Sequence, residues 1–353
     1  MKRTNNYTIF YFIKKISPLI LFCLPFIAFS QDVQFSQFYT VALYQNPAFA
    51  GSAHAIRGIA DQRIQWPALN SKYMTSYASF DNYSERYRSG YGIMALQDYQ
   101  GSSTISSTQI QAMYSYEIPI SSSVIVRPGL GLGIINRNLA YGQATYPGDY
   151  NNYGFTGGSG LDNQSNLYQR KTFANITAGT IVYSGRFWTG LSVDHINNPN
   201  QSFVAGSNSK LPVKYDVTAG YKIPIKHTKY MAYLEEEKDI SITPTAHFKS
   251  QGTSNQADIG VYGIYDFVML GFWYRGIPFL NYHHIAENES FAVLVGYRYG
   301  DWSFGYSYDF VVSGLSTVHS GGAHEISVTY IKHRKVKHKK PMKRLPCPTF
   351  YKQ

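Results

Sequence analysis

Residues 301–310 read Asp-Trp-Ser-Phe-Gly-Tyr-Ser-Tyr-Asp-Phe, and a period of two divides them cleanly. In a strand, Trp302, Phe304, Tyr306, Tyr308 and Phe310 share one face, and Ser303, Gly305, Ser307 and Asp309 share the other. A wholly aromatic face opposite a small polar one suits a soluble sheet poorly, because its inner face normally mixes aromatics with aliphatics. A membrane β-barrel inverts the arrangement: bulky apolar groups meet lipid, small polar groups line the lumen, and Tyr and Trp sit at headgroup level. The stretch therefore predicts one strand of an outer-membrane-type barrel.

The N-terminus supports export. Lys2, Arg3, Lys14 and Lys15 form a positive region, Ile16 to Ala28 is apolar, and Ala28-Phe29-Ser30 offers a cleavage site before Gln31. Residues 1–30 thus read as a signal peptide, too short in its apolar part for a spanning anchor. Phe22 before Cys23 fits lipoprotein processing badly. No later stretch is long and apolar enough for a spanning helix, so a mature chain that crosses a membrane must do so as a closed barrel. Only Cys347 then remains, which excludes an intramolecular disulfide and a thiolate zinc site.

The formal net charge of +11 is unevenly placed. The signal holds four cations, and Lys332 to Gln353 holds nine Lys/Arg with no acid, leaving the body slightly acidic. The basic balance belongs to a tail and gives no reason to expect a nucleic-acid partner. Tyr (32) and Gly (30) are abundant and only 15% of residues are charged. The mean hydropathy of −0.25 is compatible with a barrel, where only alternate residues face lipid.

Alternating segments separated by turn residues recur along the chain, near 53–64, 72–82, 89–98, 104–117, 122–137, 171–183, 185–194, 212–224, 238–249, 255–265, 267–275, 289–299, 300–311 and 323–332. They predict an all-β, antiparallel transmembrane barrel of about fourteen strands. The organisation is then a signal peptide over 1–30, an N-terminal periplasmic segment over 31–52, the barrel over 53–332 and a basic periplasmic tail over 333–353. Tight turns such as Tyr299-Gly300-Asp301 belong on the periplasmic side. The long connections 138–170, 195–211 and 276–288 belong outside or folded into the lumen.

Several motifs appear in order. Gln34-Phe35-Ser36-Gln37-Phe38-Tyr39 precedes Asn46-Pro47-Ala48-Phe49-Ala50-Gly51, and Arg63-Ile64-Gln65-Trp66 follows. Tyr306-Ser307-Tyr308-Asp309, Gly322-Ala323-His324-Glu325-Ile326-Ser327 and Pro346-Cys347-Pro348-Thr349-Phe350 complete the set. Together they resemble the PorP/SprF family of the type IX secretion system across the mature chain. Ala323 and Phe49 depart from that pattern by small, uncharged changes. The resemblance implies an outer-membrane, non-enzymatic component without cofactor or metal. It implies a role in the export and surface attachment of large proteins, such as gliding adhesins, that carry a C-terminal secretion domain. The implied partners are that passenger, the periplasmic ring of the machine and outer-membrane lipid. The family-motif residues are Asn46, Pro47, Ala48, Gly51, Arg63, Gln65, Trp66, Tyr308, Asp309, His324, Glu325, Ser327, Pro346, Cys347, Pro348 and Phe350.

The residues also have readings of their own. Asn46-Pro47 is a rigid entry to the first strand or an ordinary loop. Arg63, Arg298, Asp309 and Glu325 fall on lumen phases, as a structural charge network or as a surface for a passenger. Outward-facing Arg would cost roughly 2–4 kcal/mol at the bilayer midplane. His324 falls on the opposite phase from Glu325 and reads as an interface or turn residue. His283-His284 lacks a third ligand. In the tail, Lys335, Lys337, Lys339, Lys340, Lys343 and Arg344 suit docking to an acidic periplasmic partner or simple solvation. No nucleophile elbow, metalloprotease helix or phosphate loop is present. A passive outer-membrane pore for a small or apolar nutrient is the competing function, and it requires an open lumen.

Overall fold

The computed structural model describes residues 32–69, 73–101, 105–139, 150–151, 154–155, 169–225, 240–282, 285–312 and 320–333. Fourteen long strands follow one another: β1 Ile56–Gln65, β2 Tyr73–Ser84, β3 Ser89–Gln100, β4 Ile105–Tyr116, β5 Ile125–Leu139, β6 Arg170–Ser184 and β7 Phe187–Asp194. The circuit continues with β8 Lys214–Tyr221, β9 Ile240–Gln251, β10 Ser254–Tyr265, β11 Val268–Tyr282, β12 Ile285–Tyr299, β13 Trp302–Val311 and β14 Ala323–Lys332. Each strand pairs antiparallel with its sequence neighbours, and β14 closes on β1 with Arg63 opposite Glu325. The expected barrel and its even strand number are present, and closure leaves no sheet edge unpaired in the hydrocarbon.

The alternation read at 301–310 is the rule of the whole wall. Along β13, Trp302, Phe304, Tyr306 and Phe310 are exposed on the outside while Ser303, Ser307 and Asp309 are buried within. Leu130, Leu132 and Ile134 on β5 and Val293, Val295 and Tyr297 on β12 repeat the pattern. Tyr265, Phe267, Tyr299 and Trp302 cluster outward at the end where β1 begins and β14 finishes. They form part of an aromatic girdle, with the Trp302 and Tyr330 rings 4.9 Å apart.

At that end most turns are short, as at 185–186, 266–267 and 300–301, whereas the opposite end carries the connections 140–169 and 195–213. Barrels of this kind place short turns in the periplasm and long loops outside, which orients the chain. Arg298, on the lumen phase of β12, sits at the short-turn end and donates to the Asp266 carbonyl at 3.1 Å.

Two expectations need correction. The span 276–288 is not a long loop: β11 continues to Tyr282 and β12 starts at Ile285, with register shifts around Gly276. The alternation that identifies strands is lost at those shifts. The larger correction concerns 31–52, expected in the periplasm. Residues 32–55 lie inside the barrel. The core is formed by Phe35, Val41, Leu43, Ala48, Phe49 and Ala50 against wall residues such as Tyr77, Met94, Ile181 and Trp188. A second cluster gathers Phe38 and Tyr39 with Tyr262, Trp273 and Leu294. A short apolar segment ahead of the first strand finds in the lumen an apolar surface not turned to lipid. Burying each of its large apolar side chains contributes roughly 1.5–3 kcal/mol.

Candidate functional site

The lumen segment is the site around which the charged residues are organised. Its local form follows from its sequence. A single helical turn, α1 (Ala42–Gln45), ends at Asn46, whose backbone is extended, and Pro47–Phe49 then form a 3-10 turn. Asn46 Oδ1 accepts the Ala48 N–H at 2.9 Å, and Pro47 occupies the first turn position, where a missing N–H costs nothing. Asn46 Nδ2 donates to the carbonyls of Thr180 (3.2 Å) on β6 and Leu191 (3.0 Å) on β7. The Asn-Pro-Ala-Phe-Ala-Gly motif is therefore a clasp inside the barrel, more than an entry to the first strand. The wall is carved to receive it. A Cβ on Gly179 would lie 2.2 Å from Asn46 Oδ1, and one on Gly129 would lie 2.4 Å from the Ala48 nitrogen.

An inner lock holds the clasp near the short-turn end. The Arg57 guanidinium grips Asp81 through Nε (2.7 Å) and Nη2 (3.0 Å), and Nη2 also donates to the Phe49 carbonyl at 3.1 Å. The Gly51 N–H donates to Asp81 Oδ2 at 2.7 Å. Arg127, fully buried on β5, donates to the Ala50 carbonyl at 2.9 Å, and Ser115 donates to the same oxygen at 2.7 Å. Glu117 joins Arg127 (3.3 Å) to His54 (3.0 Å), where the segment leaves the lumen.

An outer lock holds residues 35–37. Glu325 is fully buried and accepts the N–H groups of both Ser36 and Gln37 at 2.8 Å. Arg63 bridges Glu325 (3.0 Å) and Asp309 (2.8 Å), and Ser36 Oγ donates to Asp309 at 2.6 Å. Ser327 donates to Gln37 Oε1 at 2.6 Å, while Gln37 Nε2 donates back to the Glu325 carbonyl at 3.0 Å. Arg275 connects Asp309 to Asp258, each at 3.3 Å, and donates to the Phe35 carbonyl at 3.1 Å. From Asp258 the chain of charges continues through His247 and Asp216 to Lys214, which also faces Asp194 (3.1 Å) and Asp32 (3.6 Å). Asp32 further pairs with His195 at 2.8 Å and donates its N–H to Gln251 at 3.0 Å.

The structure thus brings together Asn46, Pro47, Ala48, Gly51, Arg63, Asp309, Glu325 and Ser327 in the lumen. The remaining described motif residues gather elsewhere, at the loop end of β1, β13 and β14. The Trp66 N–H donates to the Gly322 carbonyl at 2.8 Å, and its ring meets Tyr73 edge-on at 5.1 Å. Gln65 stands opposite Ala323. Tyr308 and His324 pack with ring centres 4.9 Å apart, and His324 Nδ1 lies 2.9 Å from the Tyr306 hydroxyl. His324 is an interface residue between strands, while its neighbour Glu325 turns inward. Pro346, Cys347, Pro348, Phe350, Lys335, Lys337, Lys339, Lys340, Lys343 and Arg344, and His283-His284, lie outside the described residues. Arg57, Asp81, Arg127, Lys214, His247 and Asp258 were not singled out from sequence. Their signal was available: each is an ionisable group on the lumen phase of an alternating strand.

The sequence has a counterpart among known families. The model of the type IX secretion system membrane protein PorP/SprF family matches residues 27–330. The chain belongs to the PorP/SprF family. It is accordingly a type IX secretion membrane protein of the outer membrane. No curated protein matches the chain. Among solved structures it is similar to the Acinetobacter baumannii outer membrane protein Omp33, at 7% identity and a TM-score of 0.41 over 79% of this chain and 99% of that one. It is also similar to a Pseudomonas aeruginosa FadL homologue, at 10% identity and a TM-score of 0.43 over 83% of this chain and 94% of that one. In this PorP/SprF member, residues 46–51 seat the lumen segment on the wall and Glu325 with Ser327 hold its residues 36 and 37.

Proposed function

We propose that this barrel is a non-enzymatic partner of exported proteins, aiding the export and surface attachment of large adhesins that carry a type IX C-terminal domain. The observation that carries the reading is the occupied lumen. Residues 32–55 bond to walls as far apart as Arg127 on β5 and Glu325 on β14. A passive nutrient pore needs that space open, so the filled lumen favours recognition at the rims over permeation. External loops and the barrel rim bind the passenger, and the basic tail meets the periplasmic ring through Lys335, Lys337, Lys339, Lys340, Lys343 and Arg344.

A clean deletion is expected to remove one or two large proteins from the surface and medium proteomes while leaving other secreted proteins in place. An unchanged surface proteome with altered small-solute uptake would instead establish the pore. Truncation after Arg334 is expected to leave a folded, outer-membrane barrel and to abolish that export. Normal export by the truncated protein would remove the tail from the mechanism.

A further inference from the structure

The lumen segment runs lengthwise through the barrel, and its direction is unusual in its consequence. Its last residues stand at the short-turn end: His54 pairs with Glu117, and Gly51 and Ala50 meet Asp81 on β2 and Arg127 on β5. Its middle, Asn46, bonds to β6 and β7 partway along the wall. Residues 36 and 37 bond to Glu325 and Asp309, close to where β14 starts and β13 ends at the loop end. Asp32 is held by His195, Lys214 and Gln251. All three lie at the loop ends of their strands: β7 finishes at Asp194, β8 starts at Lys214 and β9 finishes at Gln251. The chain therefore enters the lumen from the loop end and leaves it at the short-turn end, where β1 begins.

We infer that Asp32, where the lumen segment begins, stands at the outer mouth beside the connection 195–213 and is approached from the cell exterior. The opposite expectation, a periplasmic N-terminal segment, would require Asp32 near His54, and the two are held at opposite ends of the lumen. The connection it would join is ordered and partly buried: Leu211 packs under Ile135 and Phe173, and Asn198 closes a turn on His195. Ile196 and Val204 stay exposed on it. Together with Asp32 these form an extracellular face that is continuous through residues 32–55 with the inner lock. A contact made outside and one made at His54 act on the same strap.

Cysteine labelling on intact cells tests this, because Cys347 is the only cysteine of the chain beyond the signal. In a Cys347→Ser background, Gln31→Cys is compared with Ser207→Cys in the 195–213 connection and Arg86→Cys in the 85–88 turn. A membrane-impermeant maleimide is expected to label Gln31→Cys and Ser207→Cys on intact cells, and Arg86→Cys only after the outer membrane is permeabilised. Labelling of Gln31→Cys only on permeabilisation would overturn the inference by placing the end in the periplasm. Labelling only after denaturation would overturn it as well, by placing the end inside the lumen. Heat-modifiable migration of each variant reports whether its barrel is folded, and the readout does not depend on which protein the barrel exports.

Discussion

Glu325→Ala is expected to loosen the outer half of the lumen segment and turn a silent barrel into one with bursts of conductance in a planar bilayer. Glu325 holds three partners: the Ser36 and Gln37 amides and the Arg63 guanidinium. Removing one partner of a buried ion pair costs about 3–5 kcal/mol where the other charge is stranded, and less here because Arg63 keeps Asp309 at 2.8 Å. Each amide left without an acceptor adds about 1–3 kcal/mol. The released ends can recover those hydrogen bonds only by meeting water, which means moving toward the mouth. The inner lock at Ala50 and Gly51 and the contacts of Asp32 with His195, Lys214 and Gln251 are untouched, so the segment loosens between these anchors, around residues 36 and 37. Glu325→Gln keeps the shape and one acceptor and is expected to give rarer, shorter openings. The wild-type barrel, measured alongside, should stay closed. If Glu325→Ala is as silent as wild type while its barrel remains folded by heat-modifiable migration, the outer lock does not close the lumen.

How legible this was in the sequence depends on which periodicity carries the signal. The wall obeys a period of two, so Trp302 to Phe310 disclose both strand and membrane before any contact is known. The same phase rule places Arg63, Asp309 and Glu325 inward. What alternation does not encode is what lies within. Residues 32–55 hold one helical turn and a 3-10 turn, too short for a periodic pattern, and their apolar residues could pack against any surface. The glycines that admit the clasp look, in sequence, like the small lumen residues of any barrel. Gly129 and Gly179 become informative only when Ala48 and Asn46 are seen against them. The pairing of Arg63 with Glu325, or of Arg127 with the Ala50 carbonyl, joins positions far apart in the chain, and only barrel closure and the seating of the segment inside it set those distances.

The motifs therefore divide by physical role. Asn46 to Gly51 seat the segment on β2, β5, β6 and β7, and Glu325 with Ser327 hold its residues 36 and 37, all through buried hydrogen bonds. Trp66, Tyr308 and His324 stitch β1, β13 and β14 at the loop end, next to the strands that carry the outer lock.

Gly179→Ala gives the second large effect, and its sign separates the clasp from ordinary barrel stability. At an open position, replacing Gly by Ala is expected to stabilise by about 0.4–1 kcal/mol through the unfolded state. Gly58 is such a position, with nothing within 4 Å of an added Cβ, and Gly58→Ala is the control. At Gly179 the added carbon would sit 2.2 Å from Asn46 Oδ1. That oxygen cannot swing aside cheaply, because it accepts the Ala48 N–H while Nδ2 is tied to Thr180 and Leu191. Overpacking of this kind costs about 1–3 kcal/mol, and displacing Asn46 forfeits its hydrogen bonds as well. Urea unfolding of the purified barrel should therefore show a lowered midpoint for Gly179→Ala and none for Gly58→Ala. Asn46→Ala also lowers the midpoint, since it removes the cap and both wall contacts. Once Asn46 is gone, however, the nearest remaining neighbour of the methyl at 179 is the Leu191 carbonyl at 3.0 Å, a tight contact in place of an overlap. The double variant should therefore lose little beyond Asn46→Ala alone, giving a coupling of about 0.5–3 kcal/mol where additive losses would give none. Simple additivity would mean that the two residues do not meet, and that the Asn-Pro turn is seated elsewhere in the lumen.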